Sequence, residues 1–209
     1  MSNNASKNAE RAVVTFTLLY LLIASLFSWR LQNWEFVFYV FVVLIIGLMV
    51  MNIHKRVQFS TGILWCLSGW GLMHMLGGLI SIPETWSHDG DHLVLYSFWL
   101  IPDYLKYDHI IHGYGFGVGT WACWQALSPI VVGTKEYISE IIIAVLAANG
   151  LGALNEIIEF FATLVIPSTN VGGYVNTGWD LVSNLVGSMA AAFIIWFGKP
   201  IDIDLTKRS

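Results

Sequence analysis

Six stretches of this chain, near residues 12–29, 36–53, 60–80, 108–127, 138–165 and 177–198, are long and apolar enough to cross a hydrocarbon core about 30 Å thick. In that solvent an open backbone N–H or C=O finds no water, so each stretch must close its hydrogen bonds within itself, as a helix. A mean hydropathy of +0.65, with 56% hydrophobic and 11% charged residues, places the 209-residue chain outside the ordinary soluble class. The fold expected is all-α: a polytopic membrane helix bundle of about six transmembrane helices in a single domain over 11–200. A disordered N-terminus, 1–10, and a short tail, 201–209, are expected to flank it. The first stretch is too long for a secretory signal, lacks a small-residue cleavage site and runs straight into a second span, so it is read as a retained helix.

Basic residues set the expected orientation. Lys7, Arg11, Lys55, Arg56, Lys135, Lys199, Lys207 and Arg208 fall on one side, and only Arg30 and Lys106 on the other. Both termini are therefore expected in the cytoplasm, in a bacterial inner membrane. The net charge of −4 hides an acidic cluster between the third and fourth spans, Glu84, Asp89, Asp91, Asp103 and Asp108, which would attract cations and not nucleic acid. The same connection carries Trp86, Tyr96, Trp99 and Tyr104, rings that favour the headgroup level, and a short interfacial helix is expected near 92–104. His88, Asp89, Asp91 and His92 read as a solvated turn. Cys66 and Cys123 fall inside spans, where a thiol serves as a small hydrophobe.

Polar residues inside the spans are costly and need partners. On the predicted topology they collect at one depth, in the outer half of the bilayer. His74 stands about two turns from the outer end of the third span. The fourth opens with Asp108, His109 and His112, of which Asp108 and His112 stack at i and i+4. The fifth offers Asn155, Glu156 and Glu159, the two carboxylates roughly 60° apart on one face. The sixth opens with Asp180 and Asn184, again i and i+4. Imidazoles and carboxylates on rigid helices are what a divalent zinc, iron or manganese ion needs. His74, His112, Glu159 and Asp180 are read as ligands and Glu156 or Asp108 as general base, with His109, Asn155 and Asn184 as secondary candidates. A purely structural polar core, in which aspartates cap helices and histidines bond carboxylates, accounts for the same letters.

The runs YDHIIHGYGFG at 107–117, NEIIEFF at 155–161 and WDLVSNLVGS at 179–188 resemble two related groups of bacterial membrane proteins, the VanZ-like family and the YjdF-type inner membrane family. HMLGG at 74–78 is similar to the second group. The resemblance spans roughly 70–192 and implies a multi-helix membrane domain without an assigned reaction; the VanZ-like group is associated with glycopeptide tolerance. The chain departs from the YjdF-type pattern at His109, where that group has an arginine, and at Gly173 and Asn176, where it has acidic residues.

Together these features point to a metal-dependent enzyme acting on a membrane lipid or cell-envelope precursor. A proton or ion relay, an envelope-binding protein and a haem held by His74 and His112 stay open beside it, the last disfavoured by the neighbouring carboxylates.

Overall fold

The structure is a computed structural model in which residues 2–130 and 137–198 are described, with side chains from Ser6 onward. Lys135, Lys199, Lys207, Arg208 and the tail 201–209 lie outside the described residues.

The described residues form six long helices: α1 Ser2–Arg30, α2 Trp34–Val57, α3 Thr61–Leu79, α4 Tyr107–Leu127, α5 Tyr137–Val165 and α6 Tyr174–Phe197. Five of them are long and apolar enough to cross a membrane by length and composition. The exception is α4, whose Asp108, His109, His112 and four glycines dilute its apolar character; it is packed instead among α3, α5 and α6. The chain forms a polytopic membrane bundle. The connections at 31–33, 80–106 and 166–173 lie at one end of the bundle, here the polar end.

Two expectations need correction. Residues 2–10 are helical, because Ser6 Oγ bonds Glu10 at 3.1 Å and Glu10 meets His54 of α2 at 3.7 Å, fastening the first turns of α1 to the next helix. The aromatic segment near 92–104 forms no interfacial helix. It makes a single 3-10 turn, Leu95–Ser97, and an antiparallel ribbon of β1 Trp99–Ile101 with β2 Leu105–Lys106. Pro102 biases Ile101 toward extended backbone, and Asp103, at φ 64°, turns the chain back on itself.

Small residues determine how closely the helices approach. α4 and α6 are the most intimate pair. A Cβ on Gly187 would run into the Gly113 carbonyl, and one on Gly117 would stand 3.1 Å from the Gly187 carbonyl. Ser188 Oγ donates to Phe116 O at 3.3 Å across the same seam. In lipid such backbone contact takes the place of the hydrophobic drive that holds soluble bundles together. Toward the other end, α4, α5 and α6 close over an apolar core of Trp124, Ile141, Ala144, Ala192 and Ile195.

Candidate metal centre

His112 is the hub of the polar end. It is buried on α4, and Asn184 Oδ1, fully buried on α6, lies 3.0 Å from its Nδ1. An amide oxygen only accepts, so Nδ1 carries a proton, and it is the neutral ring that offers a lone pair at Nε2. Nε2 faces two carboxylates: Asp108 Oδ1 at 3.6 Å and Asp180 Oδ1 at 4.0 Å. An imidazole whose second nitrogen is held by a hydrogen bond while the first meets anionic oxygens has the arrangement of a metal ligand with its supporting partner. Asp108, His112 and Asp180 each offer one ligand atom within 4.8 Å of the others.

The helices explain this convergence. Asp108 and His112 lie one turn apart on α4, and Asp180 and Asn184 one turn apart on α6, so each helix presents an i, i+4 pair. The glycine contact between the two helices brings the pairs together. Gly152 on α5 also makes room: a Cβ there would stand 2.6 Å from Asn184 Nδ2.

A second group uses the other side of the same imidazole. Glu156 Oε1 lies 3.7 Å from His112 Nδ1, and His112, Glu156 and Glu159 again lie within 4.8 Å of one another. Asn155 Nδ2 donates to Glu159 Oε1 at 2.8 Å. Glu156 Oε1, Asp180 Oδ1 and Asn184 Nδ2 are buried with no hydrogen-bond partner in the structure. Unpartnered buried polar atoms are rare in folded proteins and ask for a bound species.

His74 stands apart from both groups. Its Nδ1 is bonded to the Tyr96 hydroxyl, and the rings of Phe36, Tyr39, Trp70 and Tyr96 surround it. Burial, reinforced by the Asp108 carboxylate, pushes the Tyr96 hydroxyl well above its usual range, so it stays protonated. The paired glycines of HMLGG explain the enclosure: a Cβ on Gly78 would fall within the Phe36 ring, and one on Gly77 would meet the Tyr96 ring at 2.7 Å. His74 does share a cavity of about 20 Å³ with Glu35, Tyr39, Asp108 and Glu159, room for about one water molecule. His109 faces away from the centre, its Nδ1 accepting from the Lys106 backbone N–H at 3.3 Å.

Four functional neighbours went unread in the sequence. Glu35, buried at the start of α2, accepts from the Asn170 N–H at 2.9 Å and anchors the 166–173 connection. Tyr96, expected at the headgroups, lies inside the bundle. Lys106, counted only as an outer charge, is buried and bonded to Asn176 and, at 3.3 Å, to Asp89. Asn176 Nδ2 in turn donates to Asp180 Oδ2 at 2.6 Å. The available signal for Asn176 was its i, i+4 spacing to Asp180. Among the described residues the His88–His92 turn forms no ligand group; Asp89 pairs with Lys106 and His88 bonds its own chain at Trp86. Cys66 and Cys123 are free and partly buried.

A family model described as a predicted membrane protein (DUF2238) matches residues 10–199, and the chain belongs to that family. No curated protein and no solved structure matches significantly.

Proposed function

We propose that this member of the DUF2238 family is a metal-dependent membrane enzyme that holds one divalent ion, zinc, iron or manganese, between Asp108, His112 and Asp180. The carrying observation is the placement of His112 Nε2 between Asp108 and the unpartnered oxygen of Asp180 while Asn184 holds the other ring nitrogen. Three carboxylates around one imidazole in a medium of low dielectric lack compensating charge, and a divalent cation supplies it. When bound, such an ion lowers the pKa of its water toward about 7 and polarises a substrate oxygen.

The remaining residues take roles by position. Asn184 and Asn176 hold the ligands: one keeps the His112 tautomer, the other bonds Asp180. Glu156 sits on the Nδ1 side of His112, away from the ligand oxygens, and supports the ring orientation. Glu159 lines the water-sized cavity with Asp108, which makes it the proton acceptor; this exchanges the roles that the sequence suggested for Asp108 and Glu159. The apolar core at the opposite end disfavours an ion path through α4, α5 and α6. A bacterial inner membrane with the polar end outward, and a lipid or envelope precursor as substrate, accord with the basic-residue bias and with the VanZ-like and YjdF-type resemblance.

The test is elemental mass spectrometry on protein purified in mild detergent without chelator or nickel resin. About one zinc, iron or manganese per chain is expected, lost in His112→Ala and kept in Glu159→Gln. Metal-free wild-type protein would end the proposal, and loss from Glu159→Gln alone would return that residue to the ligand set.

A further inference from the structure

Beside the metal centre lies a polar cleft of about 710 Å³, within the range of small-molecule sites. Tyr96, Asp108, Asn170 and Asn176 line both this cleft and the water-sized cavity, so the cleft leads to the centre. Three independent features of its wall are electropositive.

The first is His109. Its Nδ1 accepts from the Lys106 N–H, so Nε2 carries the proton, and that donor is buried in a residue 6% exposed with no acceptor. Trp99 and Trp179 hold the ring from two sides, with centroids 6.1 and 6.2 Å away. The second is Lys106, buried in the wall with two of its three ammonium donors on Asn176 and Asp89. The third is the N-terminus of α6. Gly173 caps it without a side-chain hydrogen bond and its first turn has no acidic residue, so its free N–H groups and the dipole of a 24-residue helix open on the cleft.

We propose that this cleft receives the phosphate group of the substrate, held by Lys106, His109 Nε2–H and the first turn of α6, with one oxygen toward the metal centre. The proposal rests on the metal reading in one respect. Asp89, Asp103 and Asp108 also line the cleft. Asp89 is already paired with Lys106, and a bound ion meets the charge of Asp108, so an anion is admitted only once that ion is in place. The phosphate can belong to a lipid headgroup or to a soluble ester, since the recognising chemistry is the same.

Metal-loaded protein in a maltoside detergent, titrated with inorganic phosphate and followed by ³¹P line broadening, tests this. Saturable binding is expected, weakened tenfold or more in Lys106→Met and in His109→Phe, and largely restored in His109→Gln, which keeps an N–H donor. Unchanged metal content in the variants shows that they have folded. Competition by phosphatidic acid in nanodiscs, absent with phosphatidylcholine alone, assigns the lipid source; saturable binding without competition assigns a soluble ester. Metal-loaded protein that ignores phosphate, or binding equal in wild type and both weakened variants, overturns the cleft and leaves the metal reading standing. Phosphate binding that survives chelation and disappears in Lys106→Met overturns the requirement for the ion and keeps the cleft.

Discussion

The two ends of the α4–α5–α6 bundle are made of different materials. One end closes on Trp124, Ile141, Ala144, Ala192 and Ile195; the other brings Asp108, His112, Glu156, Asp180 and Asn184 into the same depth of the same three helices. The apolar end shows that these helices pack without any buried charge. The polar end accepts the desolvation of several ionisable groups, and buried ionic groups are weak sources of stability. Under the metal reading its composition is a functional expense, while the glycine seam between α4 and α6 serves both ends.

That contrast can be broken at five positions. The largest effect is expected from Gly187→Val, which drives a side chain into the Gly113 backbone: both ends should fail together, seen as loss of a monodisperse peak in detergent. A folded variant retaining its metal would show that the seam does not hold the site. Next come paired substitutions at opposite ends. Asp180→Asn should cut bound metal more than tenfold with a small change in melting, whereas Ile195→Ala should cost about 2–4 kcal/mol of stability and leave metal content intact. Equal metal loss in a folded Ile195→Ala protein would dissolve the distinction. Glu35→Gln, which weakens the bond to the Asn170 N–H, should cost about 1–2 kcal/mol and speed hydrogen exchange at Asn170. Slow exchange there would mean that the connection is held by other contacts. Asn155→Ala, which frees Glu159, should cost only about 0.5–1.5 kcal/mol, read from thermal melting. A larger loss would make Asn155 part of the centre.

The spans were legible because an apolar run of this length has few soluble alternatives; α4 was read the same way, although its polar residues and glycines leave it alone among the six helices without the apolarity of a membrane span. The convergence of Asp108, His112 and Asp180 was legible as depth. What stayed hidden was azimuth: nothing in the letters says that His74 turns into an aromatic box, since that depends on Gly77 and Gly78 admitting Tyr96 and Phe36 from elsewhere in the chain. Glu35 escaped for a related reason. An acidic residue in the first turn of a helix has an ordinary explanation in the helix dipole, and only the path of the 166–173 connection reveals its partner.

The diluted apolarity of α4 bears on how the protein is made. A segment with Asp108, His109, His112 and four glycines is a poor candidate for partitioning into lipid alone. Of its three packing partners, α3 is synthesised before it and α5 and α6 after it. During biogenesis α4 therefore lacks two of its three packing partners until α5 and α6 have been made, so the shelter its polar face needs is completed only by the end of the chain's last helix.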